Sequence, residues 1–315
     1  MEIRTASSVE EPALRAFYAE AFPARAEFLG AHWRWLYRVG RFPGIEPLVL
    51  VEGNRVVGHA GAIPLTLSRL GQTAPAIWFV DFSILPELQG QGHGAKLTEA
   101  WMGLCPDRVT FCNDRSIRVF RKFGWRERFD ASVRSLPIFN GPIRAALRVL
   151  LSGAPKLRLG PLPQDPAQLV SALADESPAP VQVVRDADWA HWRLYDHPRA
   201  AEHLLAEHDG VQAIVRLFDS LGRRRAHLLH VGPGSPEARA GLVAGFARWA
   251  VEAGARSAWM ATNEQALLEA ACLRLPRGYT LRFAWHSDDA AVGQALFEGL
   301  PTQGLDSDHD LMFPC

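Results

Sequence analysis

The residues best suited to chemistry lie in Asp81-Phe82-Ser83-Ile84-Leu85-Pro86-Glu87-Leu88-Gln89-Gly90-Gln91-Gly92-His93-Gly94. An apolar strand pattern runs into a glycine-rich turn, and the turn opens a helix pattern from about Gly94 to Leu104. Gly90, Gly92 and Gly94 let the backbone turn tightly and approach a ligand closely. Unpaired backbone N–H groups and the helix dipole at such a turn favour an anion, above all a pyrophosphate. The turn is not a P-loop, because no Gly-Lys-Ser/Thr follows. By itself it also fits an ordinary strand-to-helix connection.

A second segment narrows the reading. Gln89-Gly90-Gln91-Gly92-His93-Gly94, with Pro86 just before it, resembles the Q/R-x-x-G-x-G/A signature of the GNAT superfamily of acyl-CoA-dependent N-acetyltransferases. Farther on, Asn113-Asp114-Arg115-Ser116 and Phe120-Arg121-Lys122-Phe123-Gly124-Trp125 resemble that family's second coenzyme A segment. The resemblance implies that Gln89, Gly90, Gln91, Gly92, His93 and Gly94 hold the coenzyme A pyrophosphate. It implies that Ile84 and Leu85 offer backbone groups to the pantetheine arm, where the fourth strand splays from the fifth. Asn113 and Phe120 would border the same arm. The co-substrate would be acetyl-CoA or another acyl-CoA, with no metal, and a small-molecule or peptide amine would attack the thioester directly.

Such a reaction needs a base for the amine, stabilisation of the oxyanion and neutralisation of the leaving thiolate. Asp81 is the candidate base, since burial in an apolar strand raises a carboxyl pKa; it could instead pair with an arginine such as Arg34. His59 and Glu52 fit strand or surface roles better. The family commonly has a tyrosine acid where this chain has Phe120, which has no proton to give. Ser116 is the catalytic candidate in its place, with Cys112 or water as alternatives. A coenzyme A-binding module without catalysis, and a transferase for long acyl chains or peptide-linked acceptors, are the competing functions.

The elements that must position these residues follow from pattern. Glu11 to Phe22 reads as a helix, Pro47 to Val51 and Arg55 to Leu65 as a hairpin, Pro64 to Leu70 as a third strand and Ile77 to Leu85 as a fourth. Asp107 to Cys112 reads as a strand and Ser116 to Lys122 as a helix, which together give an α/β (α+β) sandwich. Ile143 to Leu151 reads as a helix, and Gly153 to Pro166 as a Gly- and Pro-rich linker. Beyond it the order recurs. His191-Trp192-Arg193-Leu194-Tyr195 echoes His32-Trp33-Arg34-Trp35-Leu36-Tyr37, a second hairpin spans His203 to Phe218, and Asn263, Ala266 and Gly278 echo Asn113, Ser116 and Gly124. Gly232-Pro233-Gly234-Ser235-Pro236 replaces the anion loop, and its prolines remove donors. The expectation is two GNAT-like mixed-sheet domains in tandem, the second degenerate. Residues 1–140 carry the acyl-CoA site, 141–165 a helix and linker, and 166–315 a domain without coenzyme A binding.

Bulk composition excludes other classes. The 315 residues suit two domains, with 34 Lys plus Arg against 34 Asp plus Glu and so no basic excess for nucleic acid. Cys105, Cys112, Cys272 and Cys315 form no C-x-x-C pair, Met1 to Glu11 has no leader pattern, and no apolar run reaches the roughly 20 residues of a membrane span. A cytoplasmic location is expected. Trp33, Trp35, Tyr37 and Trp192 suit a pocket wall or packing, and Asp306-Ser307-Asp308-His309-Asp310 suits either a cationic acceptor or metal, or a solvated tail. Oligomeric state is not legible.

Overall fold

The computed structural model describes residues 1–69, 71–175, 179–220 and 222–306. In chain order the first elements are β1 (Glu2–Thr5), α1 (Glu11–Ala21), α2 (Ala26–Leu36), β2 (Leu48–Glu52), β3 (Arg55–Arg69), β4 (Gln72–Ile84), α3 (His93–Met102), β5 (Asp107–Cys112), α4 (Ile117–Phe120) and β6 (Arg126–Pro137). Then come α5 (Pro142–Leu150), β7 (Arg158–Pro161), β8 (Val181–Val183), α6 (Ala187–Ala190), β9 (His203–His208), β10 (Val211–Ser220), β11 (Arg223–Val231), α7 (Pro236–Glu252), β12 (Ser257–Thr262), α8 (Gln265–Arg274), β13 (Arg277–Ser287) and α9 (Ala290–Glu298).

These elements divide into two units. The first is Met1–Arg128 with Arg282–Leu300; the second is Phe129–Leu281 with the residues from Pro301 onward. The units interleave along the chain, whereas the sequence division at 140 and 166 is contiguous. In the first unit, β1, β2, β3 and β4 pair antiparallel in succession, β4 pairs β5 in parallel, and Arg282–Ser287 of β13 pair antiparallel with β5. In the second, β7, β9, β10 and β11 pair antiparallel, β11 pairs β12 in parallel, and β6 pairs antiparallel with β12. The strand that closes each sheet therefore comes from the other half of the sequence.

Three sequence expectations change. Pro64 does not divide two strands: β3 runs unbroken from Arg55 to Arg69, with Pro64 opposite Ile77. β2 pairs no farther than Ala60, so Pro64, which has no N–H to give, costs no ladder bond to β2. The supposed linker holds β7, which pairs with β9. β6, β13 and α9 stand where the sequence pattern predicts no element.

An aromatic core supports the first unit. Phe79 packs on Trp101 at a centroid distance of 4.0 Å and on Phe120 at 5.2 Å, and Phe120 stacks on Trp125 at 4.7 Å. All four rings are buried, each contributing about 1.5–3 kcal/mol of transfer free energy. In the second unit, α7 lays Leu242, Val243, Phe246 and Ala247 into a core with Leu228 and Met260. Gly245 lets α7 approach closely, since a Cβ there would lie 2.5 Å from a Leu157 methyl.

Candidate functional site

The site begins where two strands part. β4 and β5 pair only at Ile77↔Arg108 and Trp78↔Val109, although β4 continues to Ile84 and β5 to Cys112. Past that point the Thr110 hydroxyl donates to the Phe79 carbonyl at 2.6 Å, and the parallel register ends. A splay at this place is what the resemblance implies. Its β4 wall carries Ile84 and Leu85, both buried. Their backbone is partly used within the protein: the Ile84 carbonyl accepts from Gln89 Nε2 at 2.7 Å, and the Leu85 N–H donates to the Val57 carbonyl at 2.9 Å.

The glycine turn lies directly beyond the β4 end. Gly90 and Gly92 have φ of 81° and 83°, a left-handed backbone that other residues adopt only under strain, and Gly92 is the residue from which α3 starts. Gln89, Gly90, Gln91 and Gly92 are exposed, and His93 and Gly94 half-buried. The first N–H groups of a helix have no partner within it, so the start of α3 turns donors and a positive dipole end outward. Gly94 passes close to Phe82, since a Cβ there would sit 3.5 Å from the ring. Gln89 also accepts from Arg115, which ties this turn to the one after β5. Glu87 and Gln91 bond locally, through Gln91 Nε2 to the Glu87 carbonyl at 3.1 Å.

The second segment is organised by Asn113. Its Oδ1 accepts from the N–H groups of Arg115 and Ser116, both at 2.9 Å, and so initiates the turn into α4. Ser116 is half-buried, and its carbonyl accepts from Val119 and Phe120. Phe120 is 1 % exposed inside the aromatic core, where its ring supports the floor of the splay. Burial pushes the Cys112 thiol up to about 12, too weak an acid to help a coenzyme A thiolate leave.

Asp81 is the most constrained of the expected residues. Its φ is 50°, and it sits at an irregularity in the β3–β4 ladder, where His59 faces Ser83 but Gly61 faces Val80. β4 has one residue more than β3 over that interval, a β-bulge. The bulge breaks the alternation of faces. Phe79 and Phe82 both reach Phe120, so they share one side. Gly61 faces Val80, and a Cβ on Gly61 would lie 2.9 Å from the Tyr37 ring, which puts Val80 on the Tyr37 side. Asp81 is on that side too: it accepts from Tyr37 Oη at 2.8 Å and from Arg25 Nη1 at 2.6 Å. Strict alternation would have turned it toward Phe79 and α3.

The expected arginine partner, Arg34, is thus replaced by Arg25, just before α2. The Asp81 side chain is 2 % exposed. Burial and the neighbouring Asp81 charge raise the Tyr37 and Tyr18 hydroxyls well above their ordinary range. His59, ranked low from sequence, lies fully buried in the same cluster: Nδ1 is 2.8 Å from the Asp81 carbonyl and Nε2 is 3.2 Å from Tyr18 Oη. Burial lowers its pKa to about 4. Only the aromatic density near Tyr37 hinted at this cluster in the sequence. Trp33 is buried as packing would have it, and Tyr37 touches the candidate base.

The second unit repeats the splay and fills it. β11 and β12 pair from Arg225↔Ser257 to Leu228↔Met260. Beyond, Leu305 N–H donates to the Leu229 carbonyl at 3.2 Å, Gln303 bridges to Thr262, and Thr302 exchanges hydrogen bonds with Asn263. Arg239 Nε donates to the Gly232 carbonyl at 3.1 Å, and its Nη2 pairs with Glu264 at 2.7 Å across the loop that replaces the glycine turn. Asp306 is buried against Arg185 at 2.7 and 2.8 Å, not solvated as a tail would be; residues 307–310 of that acidic run, and Cys315, lie outside the described residues. Among the described residues no group of three or more His, Cys, Asp or Glu could hold a metal ion, and no helix is long and apolar enough to cross a membrane.

Comparison with known proteins agrees with the geometry. Residues 11–125 match the acetyltransferase (GNAT) family. A GCN5-related N-acetyltransferase from Kribbella flavida is similar in structure, with a TM-score of 0.61 at 17 % identity over 92 % of this chain and 72 % of its own. A putative acetyltransferase from Pyrococcus horikoshii gives 0.56 at 13 % identity, covering 92 % of both chains. Saccharomyces cerevisiae N-myristoyltransferase with bound myristoyl-CoA gives 0.54 at 11 % identity over 90 % of this chain and 82 % of its own. At these identities the likeness is one of fold. No curated protein matches the sequence.

Proposed function

With residues 11–125 belonging to the acetyltransferase (GNAT) superfamily, we propose that the protein is an N-acyltransferase that moves an acetyl or other acyl group from acyl-CoA to a primary amine. One observation carries the reading: the first unit leaves its strands splayed beside an exposed glycine turn at a helix start, while the second closes the equivalent splay with its own residues. The pyrophosphate would lie on residues 89–94 and the pantetheine arm along Ile84 and Leu85 beside Asn113. Protein residues occupy the corresponding space in the second unit, which supports a second domain without coenzyme A binding.

The amine nitrogen attacks the thioester carbonyl directly. A C–N bond forms and the C–S bond breaks. The proton lost by the amine goes to Asp81, whose carboxylate is held in place by Arg25 and Tyr37. The thiolate takes a proton from Ser116 or from water, or leaves unassisted, since thiols have ordinary pKa values of about 8.5.

Phe120 favours a second reading, an acyl-CoA-binding module without catalysis, because it stands where a tyrosine acid is common. Thermal shift with acetyl-CoA and free coenzyme A, followed by thiol release with a panel of amines, tests both. A shift with turnover supports the transferase. A shift without turnover across the panel supports the binding module, and no shift with either ligand overturns both.

A further inference from the structure

The Asp81 bulge is fastened by more than its own side-chain partners. A carbonyl oxygen only accepts hydrogen bonds, so the contact from His59 to the Asp81 carbonyl requires the proton on Nδ1. With the imidazole neutral, Nε2 is then an acceptor, and Tyr18 Oη must be its donor. The ring is enclosed by aromatics, with Phe17, Tyr18, Phe22 and Tyr37 at centroid distances of 6.1, 5.3, 6.4 and 5.6 Å. One tautomer in one orientation results. Among the described residues its hydrogen bond to the backbone falls on Asp81, the one residue within β4 whose backbone is left-handed. That conformation turns the carboxylate to the Tyr37 side of the sheet.

We infer that His59 is a positioning residue of the acyl-transfer site: by donating from Nδ1 to the Asp81 carbonyl, it holds the bulge that aims the Asp81 carboxylate, and Tyr18 fixes the tautomer that makes this donation possible. The inference rests on the reading of Asp81 as the base. It assigns a kinetic role to a buried histidine that has no access to substrate, and it separates two functions within the ring. Nδ1 serves the bulge, and Nε2 serves only to be held.

The test compares His59→Asn, His59→Gln and His59→Ala in the full chain, with acetyl-CoA and an amine that the wild-type protein acylates. An Asn amide N–H reproduces the position of Nδ1; a Gln amide reaches toward that of Nε2. Expected is a fall in kcat on the order of 100-fold for His59→Gln and His59→Ala, as for a misplacement of about 1 Å in a catalytic group. KM for acetyl-CoA should stay within about twofold, because that site is on residues 84–94, and His59→Asn should recover at least about tenfold of the loss. If His59→Ala does not fold, the Asn and Gln variants decide the matter, since both carry a polar amide. Equal rates in Asn and Gln variants, or rates that follow Tm across the series, overturn the inference while wild-type turnover leaves the transferase reading standing. No turnover by wild-type protein across the amine panel overturns that reading, and the role of His59 falls with it.

Discussion

The Gln303 side chain bonds both backbone groups of Val231: its Oε1 accepts from the Val231 N–H at 2.8 Å, and its Nε2 donates to the Val231 carbonyl at 3.0 Å. An amide side chain thus does for Val231 what a neighbouring strand would do. Nε2 also lies 2.6 Å from Glu264 Oε1. Replacing Gln303 with Leu leaves the Val231 N–H without its acceptor, while the carbonyl keeps Arg239 Nη2 at 3.5 Å. A loss of about 1–3 kcal/mol for the unsatisfied group is expected. Urea denaturation of Gln303→Leu should show a lowered midpoint, and unchanged acetyl-CoA binding would confirm that the two splays are used differently.

Gly92 should be sensitive for a different reason. Its φ of 83° is costly for any residue with a Cβ, yet open space surrounds the position a Cβ would take. The penalty therefore lies in the backbone path of the anion turn and not in packing. Gly92→Val should raise the Kd for coenzyme A about tenfold or more, equivalent to about 1.4 kcal/mol. Tm without ligand should fall by only a few degrees. Calorimetric titration checks this, and unchanged affinity would remove residues 89–94 from the pyrophosphate site.

Asp81→Asn keeps the size of the side chain and one acceptor oxygen for Arg25, turns an NH2 toward Tyr37 Oη, which can accept, and removes the basic site. If Asp81 takes the amine proton, kcat should drop about 100-fold or more at neutral pH, the usual worth of a general base. A weakly basic amine, already deprotonated in solution, should suffer less than a strongly basic one. Rates measured with two amines of different pKa would reveal it; an Asn variant with full rate on both assigns Asp81 to structure alone.

Two buried histidines set an acid limit on stability. Burial lowers His59 to about 4 and His230 to about 3. Both are neutral in the folded protein, and in the unfolded chain they protonate near the ordinary value of 6.5. The unfolded state therefore binds more protons below pH 6.5. Stability is complete above that pH and falls as the pH drops, until each folded pKa is passed. Each histidine supplies a slope of up to about 1.4 kcal/mol per pH unit in that window. Denaturation at pH 7.5, 5.5 and 4.5 should show the decline, and His59→Asn should flatten it by one histidine's share.

The segment Gly90 to Gly94 could be read from sequence because its information is local: glycines for a left-handed backbone and a helix pattern after them. The hairpins at Gly53 and Gly210 were legible on the same ground, with φ of 60° and 78° in the structure. Asp81 was legible as a buried acid but not as a bulged one, because nothing near it in sequence announces that β4 carries an extra residue opposite β3. Its partner Arg25 is far along the chain, as is His59, and such pairings depend on how α1 and α2 pack. β6 and β13 escaped for a related reason. Their ladders, Ser132–Pro137 with β12 and Arg282–Ser287 with β5, join segments far apart in the chain, so no local pattern announces them.

The exchange of closing strands bears on how the chain reaches this fold. Asp107 pairs with Ser287, so the outer edge of β5 has no ladder partner until β13 has been made. A nascent chain cannot complete its first sheet when its first half leaves the ribosome; it must wait, with an unpaired strand edge exposed to neighbouring chains, until nearly the whole polypeptide has emerged. Contacts of such long sequence separation slow folding. A fragment of residues 1–140 should accordingly show no acetyl-CoA-induced thermal shift, and supplying residues 277–300 as a separate peptide should restore one. Synthesis of this protein thus has a vulnerable interval, whose length is set by translation speed and not by the stability of the finished fold.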